Sequence, residues 1–119
     1  MQANVVDFAK DRVVYNITGC TRAELDNKLN LFFSSNGYQV KSENGETKTW
    51  KKGNRVMRIL FGAFAKYHQQ GVTIKQEGDL FSLLFFRDST GMSGGAIGMN
   101  QVRKEFTRLS EAFKAYFNN

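Results

Sequence analysis

Residues 80–86, Leu-Phe-Ser-Leu-Leu-Phe-Phe, constrain the fold more than any other stretch of this chain. An antiparallel strand covered on one face alternates apolar and polar side chains, and this run does not. If it is a strand, Phe81, Leu83 and Phe85 meet one layer while Leu80, Leu84 and Phe86 must meet something else. The candidates for that second cover are strong curvature, the chain's own termini, a homodimer partner lying against the sheet, or an apolar ligand. The longest apolar runs, such as Leu83 to Phe86 and Ile59 to Phe61, are far shorter than the roughly 20 residues of a membrane-spanning helix.

The remaining periods change in an orderly way. Val13, Tyr15 and Ile17 share one face of a strand over 11–18. Thr21-Arg22-Ala23-Glu24 is a capping box that starts a helix, Leu25, Leu29, Phe32 and Phe33 form its apolar stripe, and Gly37 suits a left-handed end. Two strands, Tyr38–Ser42 and Thr47–Lys51, flank an Asn44-Gly45 turn of the type I′ kind. The run Arg55–Tyr67 is long for one strand, with Gly62 as a bulge or bend. Val72–Gln76 and Leu80–Arg87 flank Glu77-Gly78-Asp79 as a second hairpin, and a last helix begins near Asn100 with Val102, Phe106, Leu109, Phe113 and Tyr116 on one side. The expected order is β-α-β-β-β-β(-β)-α, a single α+β domain over 1–119 in which two helices cover one face of a curved antiparallel sheet. In outline this order is similar to TATA-binding-protein-like and helix-grip domains, a resemblance of topology carried by no motif, and such folds host unrelated functions.

Composition narrows the classes. With 119 residues, 41% hydrophobic and 24% charged, the chain can bury a core and is neither disordered nor fibrous. The first residues lack the basic start and apolar core of a secretion signal, so the chain reads as cytoplasmic and without a membrane span. The single Cys20 allows no intrachain disulfide, and the single His68 allows no multi-histidine metal site; neither metal nor cofactor is expected. Seventeen Lys and Arg against eleven Asp and Glu leave +6, and seven basic residues with no acidic one lie between Thr47 and Gln76. Such a field favours an anionic partner, nucleic acid foremost.

Two constellations carry the functional expectations. A two-residue loop at Asn44-Gly45 would pair Gln39 with Trp50 and Lys41 with Lys48, setting Lys41, Lys48, Trp50 and Lys52 on one face and continuing to Arg55 and Arg58. A base can stack on an indole ringed by lysines; equally, lysine stems can lie over the indole and shield it. The second constellation is the segment from Gly91 to Asn100, where Gly91, Met92, Gly94, Gly95, Ile97, Gly98 and Met99 form an apolar, glycine-rich loop before Arg103 and Lys104. It matches no phosphate-binding fingerprint but suits a gate or an adaptable edge. Cys20, beside a helix start, could have a lowered thiol pKa, yet nothing pairs it with His68, and no acid, base and nucleophile converge. The chain therefore reads as a non-enzymatic module binding an anionic partner through a basic sheet surface. Its rivals are a helix-grip-like carrier with an apolar cavity lined by Phe61, Leu84, Phe86 and Phe106, and a protein that dimerises through the doubly apolar strand.

Overall fold

The doubly apolar run forms an inner strand. The computed structural model describes residues 1–53, 67–87 and 96–118, with 53, 67 and 96–102 described by backbone alone. In chain order the elements are β1 (Gln2–Ala9), β2 (Arg12–Thr18), α1 (Arg22–Ser35), β3 (Gln39–Asn44), β4 (Thr47–Gly53), β5 (Tyr67–Glu77), β6 (Leu80–Arg87) and α2 (Ala96–Phe117). The strands form one antiparallel sheet in the order β1-β2-β6-β5-β4-β3, so β6 is paired on both edges. The two helices complete an α+β sandwich. No described helix is long and apolar enough to cross a membrane.

Local chemistry sets the elements as the sequence implies. Thr21 caps α1, with its hydroxyl accepting from the Glu24 N–H (3.1 Å) while the Glu24 carboxylate accepts from the Thr21 N–H (2.8 Å). Leu25, Leu29, Phe32 and Phe33 are buried, and Gly37 follows the helix at φ +85°. α2 starts four residues earlier than Asn100, which lies inside the helix. Its Phe106, Leu109, Phe113 and Phe117 are fully buried and Tyr116 packs against them. The strand expected at Val72–Gln76 is longer, Tyr67–Glu77, and the expected stretch Arg55–Lys66, with its bend at Gly62, lies outside the described residues.

Two strand features depart from the sequence reading. A strand over Gln2–Ala9 precedes the expected first one and pairs with it through the Lys10-Asp11 turn. Its ladder slips between Val5 and Asp7, a bulge at Val6 that breaks the period of two by which strands are recognised. The β3–β4 hairpin closes at Asn44↔Thr47, so its loop is Gly45-Glu46 and not Asn44-Gly45. Gly45 has φ +63° and no other residue type has positive φ among the described residues, the type II′ pattern with glycine first. Gly78 repeats it in the β5–β6 turn.

The edge at β1 is occupied in part. Asn118 at the end of α2 takes both backbone groups of Ala3: the Ala3 N–H donates to Asn118 Oδ1 (2.8 Å) and Asn118 Nδ2 donates to the Ala3 carbonyl (2.9 Å). The Asp7 carboxylate accepts the Phe8 N–H (2.9 Å). Together with the bulge, these contacts interrupt the edge that another strand would use.

The two faces of β6 are treated differently. Phe81, Leu83 and Phe85 are buried beneath the helices with Val13, Tyr15, Ile17, Val72 and Ile74. Leu80, Leu84 and Phe86 are half-buried on the far face. There Phe86 is paired with Gly71, and a Cβ built on Gly71 would overlap the Phe86 ring. The glycine is thus a flat seat for an aromatic from the neighbouring strand. Gly71→Ala is expected to lower the unfolding free energy by about 1–2 kcal/mol through overpacking. In a Phe86→Ala background the same substitution should cost less than half as much, which a double-mutant cycle in urea measures.

Candidate functional site

The basic hairpin does not assemble as the sequence reading has it. Trp50 is 2% exposed and stacks on Phe33 of α1, ring centroids 4.0 Å apart and 11° from parallel. It belongs to the core and is no platform for a base. The correction follows from the relative cost of burial. Strand β4 carries Lys48, Trp50 and Lys52 on one face and Thr47, Thr49 and Lys51 on the other, and the indole contributes more to burial than any of its neighbours, so its face turns toward the helices. The two lysines on that face are tolerated because their stems follow the surface and their ammonium groups reach out. Lys48 Nζ lies 5.5 Å from the Trp50 ring, donates to Asn30 Oδ1 (2.8 Å) and pairs with Glu43 (3.3 Å). Val40, and not Gln39, stands opposite Trp50, and Lys41 is the extra residue of a second bulge, exposed on the β3 edge. Arg55 and Arg58 lie outside the described residues.

The glycine-rich segment is likewise divided. Gly91, Met92, Gly94 and Gly95 lie outside the described residues, whereas Ile97, Gly98 and Met99 belong to the first turn of α2 and to no loop. Arg103 and Lys104 are exposed about two turns into that helix, away from its N-terminal N–H groups. The cavity expected for an apolar carrier is not formed by its expected residues: Phe106 packs on Phe85 beneath the helices (5.0 Å), while Leu84 and Phe86 face the opposite side of the sheet, and Phe61 lies outside the described residues. Cys20 is half-buried, and burial followed by the Glu24 charge pushes its thiol up, the reverse of an activated nucleophile. His68 is buried in β5. Among the described residues, no three His, Cys, Asp or Glu gather as metal ligands.

One polar cluster is built inside the sandwich. Glu105 of α2 is 11% exposed and accepts from the Tyr38 hydroxyl (2.7 Å) and from both ends of the Arg108 guanidinium (2.8 and 3.0 Å), with Lys52 Nζ at 3.7 Å. Gln70 donates to the Tyr38 oxygen (3.3 Å), and Arg108 reaches back to Asn36 (3.2 Å) at the end of α1. Burial opposes the charge on Glu105, but the hydrogen bonds from Arg108 and Tyr38 and the charges of Lys52 and Arg108 outweigh it and hold the carboxyl at about 2. Burial and the neighbouring carboxylate push the Tyr38 hydroxyl up. The cluster fixes α2 to the end of α1, to the residue leading into β3, to β4 and to β5.

An open cleft lies on the other flank of α2. Its floor is Val5, Phe8, Ala9 and Val13 of the β1–β2 hairpin, and Tyr15 lies deeper, its hydroxyl donating to the Ser110 carbonyl (3.2 Å). Arg103, Thr107, Glu111 and Lys114 form the α2 wall, and Lys10 stands at the turn. The volume is about 590 Å³. Phe8 is 76% exposed and Val5 38%, both on the side of the sheet that the helices cover elsewhere. The cleft thus joins an apolar floor to a rim of three cations and one anion. Val13, Tyr15 and Phe106 were marked by their periods, but Val5 and Phe8 were not, because the bulge between them hides their common face. The pairing Lys10-Asp11 between two β-rich stretches was the available signal for that hairpin.

Compared with known protein families and with curated protein sequences, the chain matches none.

The depressed value of Glu105 sets a pH dependence. A carboxyl ordinarily near 4.5 and held at about 2 in the fold contributes stability that is complete above the ordinary value and lost as pH falls through the interval between the two. Glu105→Gln is expected to lower the unfolding free energy near neutral pH by on the order of 2 kcal/mol. Urea titrations should show the gap between the two proteins narrowing as the pH approaches about 3, because the unsubstituted protein loses its advantage there.

Proposed function

We propose that the protein is a non-catalytic binding module for an anionic partner that also presents apolar surface, and that it binds in the cleft between the β1–β2 hairpin and α2. The observation that carries this reading is Phe8, a large aromatic side chain 76% exposed beside Val5 and Val13 and ringed by Lys10, Arg103 and Lys114. Apolar side chains gathered on a surface and rimmed by charge mark an interaction site. The volume lies within the range of ligand-binding clefts, and the overall charge of +6 favours negative partners at a distance. A nucleic acid is less suited to this surface than an amphiphile, since Trp50 is withdrawn into the core and Tyr15 and Phe106 are buried, leaving Phe8 as the one exposed ring of the cleft.

Anilinonaphthalene sulfonate, an aromatic anion whose emission rises in apolar surroundings, tests the reading. The native protein is expected to enhance its fluorescence, with the enhancement falling as salt rises. Phe8→Ser should abolish most of the signal, and the double charge reversal Arg103→Glu with Lys114→Glu should weaken it about tenfold. Unchanged binding by the Phe8→Ser protein would move the site elsewhere.

A further inference from the structure

The six strands are wider than the two helices of the described residues can cover, because neighbouring strands lie about 4.8 Å apart and packed helices about 10 Å apart, so that a helix shelters about two strands. α1 stands over β4 through Phe33 on Trp50, and α2 stands over β6 and β2 through Phe106 on Phe85 and Phe113 on Tyr15. Among the described residues β1 and β3, at the two edges, are left outside the helices, which is why Val5 and Phe8 at one edge and Val40 at the other are exposed on the helix side of the sheet. The open strip at the β1 edge runs beside α2.

Resting on the reading of the cleft as the binding site, we infer that its occupant is an amphipathic α-helix of a partner protein, lying alongside α2 with its apolar stripe on Val5, Phe8 and Val13 and acidic side chains toward Arg103 and Lys114. The edge of β1 selects a helix over a strand. Asn118 holds both backbone groups of Ala3, Asp7 holds the Phe8 N–H, and the ladder slips at Val6, so an added strand meets an edge interrupted at three places. A helix satisfies its own backbone and needs only side-chain packing. Charge selects its flank: Lys10, Arg103 and Lys114 face the cleft against Glu111 alone. Arg103 and Lys114 are separated by about 16 Å along α2 at 1.5 Å per residue, so a partner that meets both must extend for at least three turns. A compact anion reaches only one of them.

The test uses the full chain and three synthetic peptides of about 18 residues, each about 27 Å long when helical. One carries leucines at helical spacing flanked by glutamates, one has the same composition scrambled so that no stripe forms, and one carries lysines in place of the glutamates. Fluorescence anisotropy and circular dichroism are read together. The first peptide is expected to bind, to gain helix on binding and to displace anilinonaphthalene sulfonate. Phe8→Ser should weaken it about tenfold, as should the Arg103→Glu, Lys114→Glu double variant, which should bind the lysine peptide instead. Because Phe8 and both cations are exposed, these variants keep the fold, and the swapped preference of the second confirms that it has done so. Equal binding of the scrambled peptide, or unchanged binding by the Phe8→Ser protein, would overturn the helix seat. Binding of the dye without binding of the striped peptide would overturn the helix and leave the cleft as a small-ligand site. Failure of both would remove the cleft itself.

Discussion

The stacking of Phe33 on Trp50 decides which side of the sheet is the inside. Phe33 lies 4.0 Å from the indole, 6.0 Å from Phe85 and edge-on to Tyr38 at 5.7 Å, so one side chain of α1 is held by β4, by β6 and by the residue that leads into β3. From Phe85 the ring contacts continue to Phe106 and Phe113 of α2, and from Phe113 to Tyr15 of β2. Aromatic pairs of this kind contribute about 0.5–1.5 kcal/mol beyond the area they bury, and here they join elements far apart in the chain. Once the indole is committed to this layer, the lysines beside it must follow. Lys48 and Lys52 become struts between sheet and helix, Lys48 through Asn30 and Lys52 through the carboxylate of Glu105.

The aromatic layer also explains the molecule's asymmetry. At its centre, rings and the Glu105 cluster tie both helices to four strands. Toward β1 the ties become sparse: the Tyr15 hydroxyl on Ser110 and the Asn118 amide on Ala3 are side-chain to backbone contacts, and between them the floor opens. The open floor thus adjoins the most firmly tied part of the molecule.

Much of this fold was legible because its information is local. The capping box at Thr21, the stripe Leu25–Phe33, the turn at Gly78 and the buried face of β2 all depend on residues within a few positions of one another. The β3–β4 register was misread by one position because Asn-Gly predicts glycine second in the loop, whereas Gly45 is first. The side on which Trp50 lies is obscured in β4 because Lys48 and Lys52 share its face; its partner in the core is Phe33, 17 positions earlier. The Tyr38–Glu105 contact spans 67 positions and leaves no local trace. For the cleft, the sequence marked the α2 stripe and Val13 but not β1, whose bulge at Val6 puts Val5 and Phe8 out of phase.

The Ala3–Asn118 pair has a topological consequence. Two hydrogen bonds join β1 to the end of α2, so residues 115 positions apart in the chain lie side by side. A unit of that kind can be spliced into a surface loop of a host protein, or have its ends rejoined and new ones opened elsewhere, without stretching any element it contains.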